Sequence, residues 1–186
     1  MASDSAKKNA ASVRDSAKAL QEDSLALLSK GKDSVFTKKN VRQDDGTVKS
    51  EYDTDAIYKA VSKFVKDYNS TIESAASSED SSVLSSTASM VKATKANSNL
   101  LADVGISIGS DNKLTIDEKA FKSANMTDVK SIFNGTGSYA YGIASSSSNI
   151  YNKSVSQLAN LNGYSYTSTG SYSSYQYTGS LYSQYK

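Results

Sequence analysis

The sequence predicts a mainly α-helical protein: an elongated antiparallel helical bundle that carries a small β-hairpin near 106–116 and ends in a Tyr/Ser-rich tail. Three observations predict this fold. Apolar residues recur at helical spacing along four long segments, and a short stretch between two of them alternates apolar with polar residues, as strands do. Beyond 163 the aliphatic residues nearly disappear. We therefore expect two regions, 1–163 for the bundle with its hairpin and 164–186 for the tail.

The first helix is predicted from a stripe of mostly small residues, Ala6 to Leu27, that advances in steps of four and three and so occupies one helix face. Gly31 is a suitable end. Because small side chains bury little area, this face is expected to need a partner helix, from a second copy or from another protein. The residues predicted to form that interaction surface are Ala10, Val13, Ala17 and Leu20.

The second helix is predicted to anchor the core. It follows a polar connection over 38–49, and Asp53 or Thr54 can cap it. Its apolar stripe is richer in large side chains, each worth about 1.5–3 kcal/mol when fully buried. The stripe consists of Ile57, Val61, Phe64, Tyr68, Ile72 and Ala75.

Two further long helices complete the bundle. The third should begin at Ser81 or Ser82, face the core with Leu84, Ala88 and Val91, and run toward Leu100 and Leu101. The fourth spans roughly 139–161 and should end at Gly163, although the run 145–148 is all serine, whose hydroxyls compete for the backbone. Its inward-facing residues are predicted to be Ile143, Ile150, Val155, Leu158 and Leu161.

The segment 100–135 contains the densest turn and cap signals. A helix should end near Asp103, because Gly105 can adopt the left-handed conformation that follows a helix. Ile106 and Ile108, and then Leu114 and Ile116, alternate with polar residues on either side of a turn, which predicts a hairpin. Two short helices should follow, capped by Asp117 and Thr127 and carrying Phe121, Val129, Ile132 and Phe133, with Gly135 closing the second.

The runs LADVGISIGSDNKLTIDEKAF (101–121) and DVKSIFNG (128–135), with DTDAIYKAVSKFVKDYNSTI (53–72) before them, resemble the C-terminal region of the bacterial flagellar filament cap family, also called hook-associated protein 2. The resemblance covers roughly 53–135. It implies a helical domain with a small hairpin that leads into helices contacting the filament, and packing of the first helix against the fourth with the second alongside. It also implies oligomerisation at the filament tip, assistance to flagellin insertion, and export by the flagellum's own apparatus.

The segment 163–186 has an unusual composition: it holds seven of the 13 tyrosines, interleaved with serines, and Lys186 is its one charged side chain. Three interpretations arise. The composition favours a low-complexity tail without a packed core. Alternatively the tyrosines form an assembly or surface contact, for which Tyr164, Tyr166, Tyr172, Tyr175 and Tyr177 are the predicted residues. Base stacking on nucleic acid is the third, and the lack of positive charge argues against it.

Catalytic chemistry has few candidates. The chain contains no His and no Cys, which removes imidazole bases, thiol nucleophiles and most zinc sites. The carboxylate pairs Glu79–Asp80 and Asp117–Glu118 are interpreted as helix caps rather than as an acid–base pair. The turn 111–113 does not match a calcium loop, because Lys113 occupies a ligand position. We expect no enzyme activity, no metal and no cofactor.

Charge and hydropathy limit the classes of partner and the locations that this chain could have. The net charge of +2 argues against nucleic-acid binding, and the basic residues Lys38, Lys39 and Arg42 are interpreted as a solvated loop. Neither a membrane span nor a conventional signal peptide is predicted. We expect an extracellular or flagellar location reached without such a signal, although the sequence leaves a cytoplasmic location open.

Two functions are consistent with these observations. The first is a structural, assembly protein like the flagellar cap, which acts by self-association and by contact with flagellar or surface partners. The second is a secreted or cell-surface binding module, adhesin-like, that uses the same bundle and makes its contacts with the tyrosine-rich tail.

Overall fold

The computed structural model describes residues 3–162, and this part of the chain is mainly α-helical with two small hairpins. The predicted tail and its tyrosines lie outside the described residues. In chain order the elements are α1 (Asp4–Leu28), a 3-10 turn (Gly31–Asp33), β1 (Lys39–Arg42), β2 (Val48–Glu51), α2 (Thr54–Ala76), α3 (Ser81–Ala96), α4 (Ser98–Asp103), β3 (Ile106–Ile108), β4 (Leu114–Ile116), α5 (Glu118–Ser123), α6 (Met126–Phe133) and α7 (Tyr139–Asn162).

Helix starts are fixed by short polar side chains that accept hydrogen bonds from the first backbone N–H groups. Asp53 caps α2 and Asp117 caps α5, as predicted. The predicted cap of α6 is wrong by two residues. Asn125 occupies that position, and its side chain accepts from the N–H of Thr127, so Thr127 lies in the first turn of α6.

The long helices pack antiparallel, and contacts at both ends of α1 establish the directions. Near its start, the Asn9 side chain donates to the carbonyl of Ser77, just after α2 ends. Near its end, the amide of Asn134, a few residues before α7, donates to the carbonyl of Leu27 at 2.6 Å. α1 therefore runs against both α2 and α7, which agrees with the packing that the resemblance implies, and α3 packs on α7 from another side.

The core centres on α2, whose entire predicted stripe is buried. Phe64 of α2 lies edge-on to Phe133 of α6 and Tyr139 of α7, with ring centroids 5.6 and 5.9 Å away. Edge-to-face pairs add about 0.5–1.5 kcal/mol each beyond the burial of their area. This aromatic cluster joins the end of the 100–135 segment to the long helices.

The inward face of α3 differs from the prediction. Its buried residues are Val83, Thr87, Met90 and Thr94, whereas Leu84 is 42% exposed and Ala88 is fully on the solvent side. Apolar spacing misassigned the face because two of its four positions are threonines. Each threonine hydroxyl donates to the carbonyl four residues earlier in α3, so burial leaves neither hydroxyl unpaired. At the end of this region Leu101 of α4 is buried, but Leu100 is exposed.

The inward face of α7 also contains polar residues that the prediction missed. Ile143 and Ile150 are buried as expected, together with Ser147 and Ser154, whose hydroxyls donate to their own helix. The other predicted positions are only half-buried. They are Val155, Leu158 and Leu161, all in the last third of the helix.

The polar connection predicted over 38–49 instead forms the β1–β2 hairpin, with Lys39 opposite Glu51 and Arg42 opposite Val48. A short turn produces it. Gly46 has φ +84°, its N–H donates to the carbonyl of Gln43, and the Gln43 N–H donates to the carbonyl of Thr47 at 2.8 Å. The run Asp44-Asp45-Gly46 supplies this turn.

The hairpin predicted near 106–116 is confirmed as β3–β4, with Ile106 opposite Ile116. Asn69 of α2 holds its backbone: the amide donates to the carbonyl of Leu114 at 2.8 Å and accepts from the N–H of Leu114 at 2.7 Å. Gly105, with φ +76°, leads into β3 where α5 passes closely. A Cβ at this position would lie 2.8 Å from the Cβ of Ala120.

Gly105→Ala should lower the free energy of unfolding by about 2–4 kcal/mol, because it combines a left-handed backbone with a steric clash. Gly142→Ala is the matched control. Gly142 lies within α7 with open space around a built Cβ, so this change should stabilise by about 0.5–1 kcal/mol. Urea unfolding followed by circular dichroism measures both. Equal effects of the two substitutions would contradict this account of Gly105.

Met90→Ala tests the observed face of α3. Met90 is fully buried, so its truncation should destabilise by about 2–5 kcal/mol, whereas Leu84→Ala should cost about 1 kcal/mol or less. Thermal unfolding of the two variants and the wild type gives the comparison. A larger loss for Leu84→Ala would restore the face that the sequence pattern predicts.

Candidate functional site

The predicted interaction surface on α1 is covered within the chain. Ala10, Val13, Ala17 and Leu20 are at most 1% exposed, because the face that carries them packs against α2 and α7. In the folded chain these four residues are therefore not accessible to a partner. The five predicted tyrosines lie beyond the described residues.

A charged cluster lies at the contact of α1 with α2. Lys63 donates to Asp23 and also lies 3.2 Å from Asp67, so one ammonium group serves two carboxylates on facing helices. The Asp23 side chain is 11% exposed, and its second oxygen has no hydrogen-bond partner among the described residues. Burying a carboxylate with one oxygen unpaired is unfavourable, which opposes the ionised form.

The titration of Asp23 reflects this environment. Burial raises the pKa of Asp23 to about 6, the nearby Asp67 carboxylate adds to the rise, and the hydrogen bond from Lys63 opposes it. The hydrogen bond with Asp23 raises the pKa of Lys63. The cluster is a structural contact between two helices, and the cleft found among residues 3–162 does not include it.

Three buried hydroxyls meet where α2, α3 and α7 converge. The Tyr139 hydroxyl lies 3.1 Å from the Thr94 hydroxyl, and burial raises the pKa of both Tyr139 and Tyr68. The phenols therefore stay protonated at neutral pH. Tyr139 shares a hydrogen bond with Thr94, whereas the Tyr68 hydroxyl is buried without a hydrogen-bond partner among the described residues.

A cleft of about 290 Å³ opens at the end of the long helices, between the start of α1, the turn after α2 and the end of α7. Its acidic residues are Glu79 and Asp80, one of the predicted carboxylate pairs. Asp80 caps α3, as predicted, and its hydrogen bonds with Ser82 hold the pKa of its carboxyl below the usual range. The remaining lining is amide, hydroxyl and aliphatic, so among residues 3–162 the cleft brings together no acid–base pair with a nucleophile.

The β1–β2 hairpin is highly exposed, because all eight residues of its two strands are exposed. It is attached at its base: Lys39 pairs with Asp53 at 2.8 Å, and the Lys38 ammonium lies 4.9 Å from the centroid of the Tyr52 ring. The basic residues predicted to form a solvated loop thus belong to this hairpin. Sequence reasoning missed it as a candidate surface, and the turn run 44–46 between Val41 and Val48 was the available signal.

The remaining chemical candidates have structural roles. Asp111 accepts a hydrogen bond from the N–H of Lys113, and Asn112 takes a left-handed conformation, so this run forms the β3–β4 turn. Across residues 3–162 we find no group of three acidic side chains suited to hold a metal. Among the helices of the same range, none has the length and apolarity needed to cross a membrane. The hairpin is therefore the candidate functional surface of the described chain.

Comparison of the chain with protein-family models, with curated proteins and with solved structures gives no match. The resemblance to the flagellar cap family consequently depends on the residues of 53–135 themselves.

Asp23→Asn tests the charged cluster. A folded pKa of about 6, above the ordinary 3.8, means that the native state binds more protons than the unfolded state between about pH 4 and pH 6. Wild-type stability therefore falls as pH rises through this window. The effect of Asp23→Asn should be more favourable at pH 7.5 than at pH 4 by on the order of 1–3 kcal/mol, since one pKa unit corresponds to about 1.4 kcal/mol.

Urea unfolding at the two pH values measures this difference, with Glu22→Gln as the control. Glu22 is the preceding residue of α1 and its side chain is 66% exposed, so its substitution should change stability by less than about 0.5 kcal/mol at either pH. An effect of Asp23→Asn that is more favourable at pH 4 would mean that the ion pair with Lys63 outweighs burial.

Proposed function

We propose that this chain is a structural, assembly protein related to the flagellar filament cap, and that it acts by self-association and by contact with flagellar partners. The observation that carries the proposal is the fold of 53–135. This segment, part of which resembles the cap family, forms α2, the long helix α3, the short helix α4, the β3–β4 hairpin and the two short helices α5 and α6. The hairpin is fixed to α2 through Asn69, so the two parts of the resemblance form one packed unit.

The use of polar residues supports an assembly role over a catalytic one. The acidic side chains that a hydrolytic enzyme would need occupy structural positions: Asp53, Asp80 and Asp117 cap helices, and Asp23 and Asp67 share Lys63. The buried phenols of Tyr68 and Tyr139 stay protonated. These structural roles favour a protein that acts through its surfaces.

The exposed surface offers an element suited to protein contacts. The β1–β2 hairpin has both strand edges unpaired within residues 3–162, and open edges readily pair with other chains. In this proposal the chain is exported to the flagellum and its partners are a second copy and flagellin. The tyrosine-rich segment 163–186 would add contact area, since tyrosine supplies large contacts at low entropic cost.

The full chain should form oligomers in solution and bind purified flagellin from the bacterium that encodes it. Light scattering coupled to size exclusion, over a range from about 1 to 300 µM, should give a mass that rises with concentration. Immobilised chain should capture monomeric flagellin in biolayer interferometry, and urea-unfolded chain serves as the control. A strictly monomeric protein without affinity for flagellin would contradict the proposal. Binding to host or surface proteins in place of flagellin would favour the adhesin-like alternative.

A further inference from the structure

We propose that the outer edge of β2 is a self-association site, which pairs antiparallel with β2 of a second copy to make a four-stranded sheet. This inference rests on the proposed function, because it names the surface through which self-association occurs. Three features support this site: the exposed position of the hairpin, the outward direction of its backbone groups and the charges along β2.

The backbone of β2 is ready to pair on its outer side. Because Gln43 donates to Thr47 across the ladder, the alternation of antiparallel pairs places Lys49 and Glu51 in the hydrogen-bonded pairs with β1. The N–H and C=O groups of Val48 and Ser50 consequently point away from β1. Both residues are exposed, and in residues 3–162 no strand pairs with this edge.

The charges of β2 are complementary to a second β2 in the antiparallel direction. If Ser50 of one copy lies opposite Ser50 of the other, Lys49 of each copy lies opposite Glu51 of the other. The two Ser50 residues would exchange backbone hydrogen bonds, and the two Lys49–Glu51 pairs would lie in non-hydrogen-bonded positions, where side chains approach most closely. Shifting the register by two residues in either direction removes these pairs.

The edge of β1 lacks this complementarity. Its charged residues are Lys39 and Arg42, both positive, so two β1 strands would bring together charges of one sign. A twofold contact must use the same patch on both copies, and β2 has opposite charges on a single strand.

The hairpin also gains stability from such pairing. A two-stranded ribbon is marginally stable alone, and sheets of three or more strands are more robust. Val48 is 61% exposed beside the open edge, and a strand docked there would cover part of it. The occupant that fits both the edge and the charge order is a second copy of this chain.

Charge reversal tests the site on the full chain. Lys49→Glu and Glu51→Lys should each raise the self-dissociation constant by about tenfold or more, because each places like charges in both cross-strand pairs. The double variant Lys49→Glu/Glu51→Lys reverses both intermolecular pairs, although it places a second lysine opposite Lys39 within each hairpin, and its dissociation constant should return to within about threefold of wild type. An equimolar mixture of the two single variants should form mixed dimers with restored affinity, which also establishes that both hairpins remain folded. Sedimentation equilibrium measures the dissociation constants of the two single variants, the double variant and the mixture.

Two further variants separate the edge from general charge effects. Ser50→Pro removes the outward N–H without removing a bond to β1, and it should abolish dimerisation. Arg42→Glu changes a charge on β1 and should leave the dissociation constant within about threefold of wild type. Circular dichroism confirms that the helices of each variant stay folded.

The outcomes distinguish this inference from the proposed function. If both single reversals weaken dimerisation, and if affinity recovers in the double variant and in the mixture, the result supports pairing through β2. If the self-dissociation constant is unaffected by these changes, or responds to Arg42→Glu instead, β2 is not the association site, although the chain still self-associates. A wild-type chain that stays monomeric across the concentration range overturns both.

Discussion

The close contact of α1 with α2 and α7 is the constraint on which the rest of the structure depends. Small side chains on the inward face of α1, such as Ala10 and Ala17, let the helix axes approach one another. Its small positions bury little apolar area, so the large side chains of the core, such as Phe64 and Tyr68 of α2 and Phe133 of α6, supply much of the hydrophobic stabilisation. The β3–β4 hairpin and α5 in turn pack on α2, so α2 contacts both α1 and this part of the chain.

Buried hydroxyls make this packing possible in a chain so rich in serine and threonine. Ser24, Ser147 and Ser154 are fully buried, and each donates to a carbonyl four residues earlier in its own helix. The hydroxyl is thus satisfied without a partner on the neighbouring helix, and the outer surface of the residue behaves as a small apolar group. A chain that is 38% hydrophobic can therefore bury continuous helix faces.

The burial of hydroxyl-bearing residues on helix faces also explains which parts of the fold could be predicted from the sequence. The stripe of α2, the caps Asp53 and Asp117 and the hairpin near 106–116 follow from local patterns that agree with the tertiary fold. The inward face of α3 could not be read from apolar spacing, because Thr87 and Thr94 occupy it. Nor did the spacing of the α1 stripe show whether it is covered within the chain, because small residues suit a helix of the same chain and a helix of a partner equally well. The resemblance implied the first arrangement, and the structure places α2 and α7 over the stripe. The candidate surface was missed for a different reason: the β1–β2 strands are exposed on both faces, so they lack the alternation that identifies a half-buried strand.

The two hairpins use their backbone groups in contrasting ways. Asn69 bonds both the N–H and the C=O of Leu114, so β4 offers little to another chain. β2 has no corresponding side chain against it among the described contacts, and an exposed edge invites indiscriminate pairing. The order Lys49, Ser50, Glu51 limits that risk, because a charged strand resists stacking in wrong registers while one antiparallel register satisfies both charges. A strand edge whose charges oppose most registers and favour one is better explained by selective association than by a solvent-exposed loop whose sequence is unconstrained.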